Sequence, residues 1–392
     1  MKYILGLIIL ISSFSVSAKH ATYLELLRLS PSVQEFEDEA GNVKMTELYL
    51  REVVDDMHDG GVDTIVIMYV EYFGFWFFPR NSYDFDYDTG TAGQYWHTKL
   101  SDPRVENFDP LDVILSQAEA NGQNVFIGLG RNGDSSLIED LLTEYNGVSV
   151  PLKYGLTVNQ RVDVSVSRTQ QVAYEISVAY GGYSSFSGWY LSHEISHLES
   201  GNSYISKVTQ NGVIPLRSYG KPILISPADT ADISSFSAGN SILVSGVDIV
   251  APQDAVGAGN DFVNKVYTFN QTIPISQINA VFTNWKNAVT VANSWLANNG
   301  NPRPQIKLWS NTEMWEMDGP LYEKDYPTKI RRVVKQLEQY SNIVEKYSFN
   351  AWFGMVDSGE NSLSPAQNHH GRNDVKDRAE GLFYFLKNEA LQ

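Results

Sequence analysis

Short apolar runs alternate with longer amphipathic stretches along this chain, and the two kinds of segment have different periods. Eight runs read as strands: Thr22 to Leu29, Thr64 to Val70, Asn124 to Leu129, Gly188 to Leu191, Pro222 to Ile225, Ile242 to Val250, Gln305 to Trp309 and Phe349 to Met355. Between and after them, the 3.6-residue pattern predicts helices over Met45 to Met57, Pro110 to Ala120, Ser136 to Tyr145, Arg168 to Tyr180, Asn202 to Tyr219, Ile278 to Ala297, Thr328 to Tyr347 and Asp374 to Ala390. Asp109 is placed to cap the second helix and Asn121-Gly122 to stop it. Near-continuous apolar strands separated by helices are the mark of a parallel sheet buried on both faces. Eight β-then-α units predict an α/β fold, a single (β/α)8 TIM barrel with long loops at its carboxyl-terminal face. The fifth helix is the thinnest assignment, resting on Ala231 to Ala238.

The first residues change the picture of where the protein works. Lys2, the apolar run Tyr3 to Ile11 and Val16-Ser17-Ala18 have the form of a secretory signal peptide. Residues 1–18 are therefore expected to be removed, leaving 19–392 as one catalytic domain in the periplasm or outside a bacterial cell. There is no cysteine, so stability must come from a large core, for which 43% hydrophobic residues provide. A formal charge of −17 argues against nucleic acid or anionic lipid as partners, and no segment beyond the leader reads as a membrane span. Aromatic residues at 12% of the chain suit a carbohydrate partner.

In an α/β barrel the chemistry sits at the carboxyl ends of the strands. The fourth strand runs Gly188-Trp189-Tyr190-Leu191-Ser192-His193-Glu194 and the seventh Lys307-Leu308-Trp309-Ser310-Asn311-Thr312-Glu313, each ending on a glutamate. Two carboxyls facing across the mouth can flank one glycosidic bond, one giving a proton and the other attacking the anomeric carbon. Glu194, beside Tyr190 and His193, is the expected acid/base; Glu313, beside Asn311, is the expected nucleophile. Glu71 after strand two, Arg131 after strand three and Asp254 after strand six also point toward the mouth. Trp309, Trp315 and Trp352 are candidate sugar platforms. No cofactor or metal is required by this chemistry; the expected partner is a polysaccharide or oligosaccharide. The loop from Phe73 to Phe108, rich in rings and acids, is expected to wall the cleft.

Two other readings remain open. His193-Glu194-Ile195-Ser196-His197 matches H-E-x-x-H, which on a helix would bind zinc in a metalloprotease. Against it, Phe186-Ser187-Gly188-Trp189-Tyr190 is a poor lead-in for a helix, and Ser200 and Ser203 stand where the longer motif needs Gly and His. A barrel that binds carbohydrate without cutting it is the other alternative.

The strand-four and strand-seven glutamates resemble those of clan A glycoside hydrolases, and that resemblance implies a retaining mechanism. It is partial: His193 stands where that clan usually has the asparagine that holds the sugar 2-hydroxyl. Five stretches are similar to a bacterial family of exported, glycosidase-like barrels catalogued as a domain of unknown function. They are Gly61-Val62-Asp63-Thr64-Ile65-Val66, Asn124 to Leu129, Gly188-Trp189-Tyr190 with Glu194, Lys221 to Pro227, and Pro252-Gln253-Asp254-Ala255-Val256-Gly257. The resemblance covers most of the chain and implies a hydrolase acting on a polysaccharide, with bacterial exopolysaccharide the expected substrate.

Overall fold

The computed structural model describes residues 20–24, 47–72, 75–76, 78, 84–86, 91–93, 108–129, 158–192, 206–227, 233, 237–254, 275–318, 324–327, 330–352, 380 and 382–387. The leader at 1–18, the helix expected at 136–145 and the H-E-x-x-H stretch lie outside these residues. Eight strands carry the fold: β1 (His20–Leu24), β2 (Val62–Ile67), β3 (Asn124–Gly128), β4 (Phe186–Leu191), β5 (Ile223–Ile225), β6 (Ile249–Val250), β7 and β8 (Ser348–Trp352). β7 is broken into Lys307–Leu308 and Thr312–Glu313.

All pairings between these strands are parallel, in the order of the chain. The two halves of β7 stand at opposite ends of the sheet order, and this is what closes the barrel. Lys307–Leu308 pairs with β6, while Thr312–Glu313 pairs with β8, which in turn pairs with β1. Between the halves, Asn311 N–H donates to the Pro252 carbonyl at 2.9 Å and Ser310 N–H to that of Lys346 at 3.0 Å. One strand thus touches both neighbours, and among the described residues no free edge is left in the ring, the arrangement of a TIM barrel.

Helices fill the connections: α1 (Glu47–Asp59), α2 (Pro110–Asn121), α3 (Val158–Tyr180), α4, α5 (Ile242–Ser245), α6 (Ile275–Asn298) and α7 (Ile330–Tyr340), with 382–387 helical after β8. α4 is composite, a π segment Val208–Val213 running into Ile214–Leu216 and a 3-10 turn Arg217–Tyr219. α2 begins and ends as its sequence requires. The Asp109 carboxylate accepts the Leu111 and Asp112 N–H groups, and Gly122 takes the left-handed conformation at φ 71°. Among the described residues no helix is long and apolar enough to cross a membrane.

Strand alternation sorts the apolar residues into two cores. Ile65, Ile67, Val125, Ile127, Trp189, Leu191, Ile223 and Ile225 face outward into the helix layer. Tyr23, Val66, Phe126, Tyr190, Leu224, Ile249 and Trp309 fill the barrel itself. Gly188 belongs to the interior because the Phe126 ring occupies its side-chain space: a Cβ there would lie 2.2 Å from Phe126 Cε1.

The fifth unit departs from expectation. The apolar run Ile242 to Val250 is not one strand, since Ile242–Ser245 is α5 and only Ile249–Val250 is β6. Ser241 caps α5, its Oγ accepting Leu243 N–H at 3.1 Å. Gly246 follows, where a Cβ would meet Val213 Cγ1 at 2.6 Å. The helix expected over Thr328 to Tyr347 stops at Tyr340, and α3 starts ten residues before Arg168.

Candidate active site

The carboxyl-terminal end of β7 is the most completely described part of the mouth. Trp309, Asn311 and Glu313 share the inward parity of the strand, while the Thr312 hydroxyl points outward to the Tyr340 hydroxyl of α7. Glu313 is 3% exposed, and its backbone is held on both sides. Its N–H donates to Asp254 Oδ1 at 3.2 Å, and its carbonyl accepts from Arg332 Nη2 at 2.9 Å and Gln336 Nε2 at 3.2 Å. Gln336 Nε2 also donates to Asp254 Oδ2 at 2.8 Å, and the Tyr340 hydroxyl lies 3.4 Å from the same oxygen.

Arg332, Gln336 and Tyr340 are four residues apart and form one buried stripe of α7 against the end of β7. Burial pushes the Tyr340 phenol well above its ordinary pKa, and the Asp254 carboxylate adds to the shift. The raised value favours the protonated phenol, the form that can donate toward Asp254. The end of β7 is fixed by charge-assisted bonds made mostly to backbone, the kind of support that holds a reacting group still.

The expected site residues separate into three sets. Asn311 and Tyr190 lie in the barrel interior below the mouth. The Asn311 amide is directed into the interior, where its Nδ2 donates to Ser226 Oγ at 2.9 Å. Tyr190 packs edge-on against Tyr23, with ring centroids 5.5 Å apart, and is 4% exposed. Burial raises the Tyr23 phenol, partly offset by the Ser226 and Ser348 hydroxyls. Ser192, one alternation step beyond Tyr190, is also buried; its Oγ and Asn311 Oδ1 have no hydrogen-bond partner among the described residues.

Two residues are placed where the sequence did not put them. Asp254 is fully buried on the outer side of the wall, between β7 and α7, so it touches Glu313 rather than a sugar hydroxyl. Trp309 is not a platform at the mouth. Its ring stands edge-on to Phe126 at 6.0 Å, lies under Lys346 Nζ at 5.0 Å, and faces the amino-terminal end of the barrel. Two residues before Asn311 on an inward-facing strand is one layer further down, which is why it cannot reach the opposite end.

For the third set only the backbone is described, or nothing. Glu71 opens a small hairpin, Glu71–Tyr72 with Phe75–Trp76, directly after β2; Trp315 opens another, Trp315–Asp318 with Lys324–Pro327, directly after β7; Trp352 ends β8. Arg131, His193 and Glu194 lie outside the described residues. β4 is nevertheless extended from Phe186 to Leu191, so the segment leading into His193-Glu194 is strand and not helix. In the long connection after β2, Phe78 is fully buried against Tyr180 of α3, 6.3 Å between rings. Arg332 and Gln336 escaped the sequence reading; their signal was a basic and an amide residue at buried positions of an amphipathic helix.

Comparison with a solved structure gives the same architecture. A putative alpha-L-fucosidase from Bacteroides thetaiotaomicron VPI-5482 superposes with a TM-score of 0.55 over 94% of each chain at 17% identity, a likeness that shows the fold. An endo-1,4-beta-D-mannanase from Thermotoga petrophila RKU-1 matches with a TM-score of 0.46 over 94% of this chain and 99% of its own, at 11% identity. No curated protein sequence matches significantly. Residues 33–361 match the model of a family described as a domain of unknown function, DUF4434, and the chain belongs to that family.

Proposed function

We propose that this chain is an exported glycoside hydrolase that cuts a polysaccharide, bacterial exopolysaccharide in the first instance, at the carboxyl-terminal mouth of its barrel. The observation that carries the reading is a buried glutamate at the end of β7 whose backbone is fixed on both sides. Glu313 faces the interior of a closed barrel, and Asp254, Arg332 and Gln336 fix its backbone. Three strands away around the mouth, β4 leads directly into Ser192, His193 and Glu194.

In this reading Glu313 attacks the anomeric carbon while Glu194 protonates the leaving oxygen; Glu194 then draws a proton from the water that releases the glycosyl-enzyme. The Ser192 hydroxyl and the Asn311 carbonyl oxygen, inward-facing below the mouth, are acceptors for sugar or water hydroxyls. The hairpins after β2 and β7, which begin at Glu71 and Trp315, flank the same opening and supply its carbohydrate-facing walls. The likeness to a solved putative fucosidase supports the barrel on which the reading is built. The leader-like residues 1–18 support export.

The test is hydrolysis. The mature chain, 19–392, is incubated with a panel of bacterial exopolysaccharides and products are read by mass. Oligosaccharides released by the parent and lost in Glu313→Gln support the proposal. Binding without release, unchanged in Glu313→Gln, would make the barrel a carbohydrate-binding module instead.

A further inference from the structure

The described residues enclose a cavity of about 690 Å³ at the end of the barrel opposite the proposed catalytic mouth. Its walls are the starts of strands and the residues leading into them, among them Asn124 on β3, Lys221 before β5, Lys307 on β7 and Lys346 before β8. The volume lies within the range of small-ligand sites, about 300–1,000 Å³. Phe126 and Trp309, in a T-shaped contact with ring centroids 6.0 Å apart, form its apolar floor.

Its charge is unlike that of the whole chain. Four cations line it in a protein of net charge −17, and two of them are matched: Arg217 pairs with Asp248, and Lys346 with Asp63. Lys221 and Lys307 have no carboxylate within salt-bridge distance among the described residues. Lys221 Nζ instead donates to the Phe186 carbonyl and sits 4.1 Å from the centroid of that ring. Loss of hydration lowers the Lys221 pKa, which is the mark of an ammonium group held without a counter-ion. Glu345, Gln305 and Asn124 add acceptors and amides to the same wall.

We propose that this amino-terminal mouth is a second ligand site, built for a small polyhydroxy carboxylate of acidic-monosaccharide size. The carboxylate is held by Lys221 and Lys307, the hydroxyls by Glu345, Gln305 and Asn124, and the apolar ring face rests on the floor. The inference is independent of the reaction at the other mouth.

The experiment titrates the full mature chain with D-glucuronate, D-glucose and benzoate at constant ionic strength. It follows the Trp309 indole resonance, identified by its disappearance in Trp309→Phe, with calorimetry alongside. D-glucuronate should saturate with a Kd of about 1 mM or tighter, the strength a ligand of that size reaches at ordinary efficiency. Glucose and benzoate should each bind at least tenfold more weakly. Lys221→Gln and Lys307→Gln should each weaken glucuronate about tenfold, as expected when a charged hydrogen bond is removed. Lys307 is exposed, so its variant folds and decides the matter even if Lys221→Gln does not. No saturation, equal binding of glucose or benzoate, or undiminished affinity in Lys307→Gln would each overturn the proposal.

Discussion

Asp254→Ala probes the support of the proposed nucleophile without touching the nucleophile. The change removes the acceptor of the Glu313 N–H at 3.2 Å and of Gln336 Nε2 at 2.8 Å, and leaves both donors buried. An unsatisfied buried donor costs about 1–3 kcal/mol, so the variant should lose roughly 2–6 kcal/mol. That is a large part of the roughly 5–15 kcal/mol that holds a typical fold. With an unfolding entropy of about 2 cal/mol/K per residue, a chain of this size shifts by about 1–1.5 °C for each kcal/mol, giving a fall in Tm of about 3–8 °C. Tyr340→Phe is the control: it removes the hydroxyl that lies 3.4 Å from Asp254 but leaves the bonds to Glu313 and Gln336, and its drop should be smaller. The assay is a thermal melt followed by circular dichroism, with hydrolysis measured 20 °C below each variant's midpoint. Asp254→Ala should be slower than the parent at matched stability, because the end of β7 is no longer fixed. A midpoint within about 1 °C of the parent, with parental activity, would show that the network does not hold Glu313 as described.

Gly188→Ala places a methyl group 2.2 Å from the Phe126 ring and should destabilise the barrel by about 1–3 kcal/mol in a denaturant titration, with Phe126→Leu in the same chain recovering part of the loss. Glu119 accepts from the Ser184 N–H at 2.7 Å and the Ser184 hydroxyl at 2.6 Å, which lowers its pKa. Its contribution to stability is therefore complete above the usual glutamate value and lost as pH falls through the lowered one; in Ser184→Ala, carbon-detected NMR titration should find the Glu119 pKa moved upward. In an experimental structure of the mature chain, the Glu194 and Glu313 carboxyls should stand roughly 5–5.5 Å apart for a retaining enzyme, and a gap of roughly 6.5–9.5 Å would indicate inversion.

The barrel was legible because its strands are fully buried and its helices amphipathic, two patterns that survive in sequence without any knowledge of contacts. α2 could be read to within one residue from Asp109 and Asn121-Gly122. The failures have local causes. Val162-Asp163-Val164-Ser165-Val166 alternates like a strand in sequence, yet it lies in the first half of α3. Ile242 to Val250 is mostly apolar, interrupted by Ser245, Gly246 and Asp248, and hydropathy alone did not show that Ser241 and Gly246 cut a helix out of it.

At the site, Glu313 could be found as the residue that ends a strand, but what holds it could not. The contact of Asp254 with Glu313 spans 59 positions, and Gln336 reaches Asp254 across 82. Period-two alternation, applied from the broken middle of β7, would have placed Trp309 a layer below Asn311 and facing away from the mouth. Its position near a strand end in sequence concealed that.

The most direct measurement of the central claim is covalent trapping. A 2-fluoro glycosyl fluoride of the sugar released by the parent enzyme is incubated with the mature chain and with Glu313→Gln and Glu194→Gln, followed by intact mass and peptide mapping. The account predicts one glycosyl adduct on Glu313 in the parent, none in Glu313→Gln, and an adduct still formed in Glu194→Gln, since fluoride leaves without a proton. Azide should then restore part of the Glu194→Gln turnover, with a product of retained configuration. An adduct on another carboxylate, or parental turnover of the polymer by both variants, would contradict it.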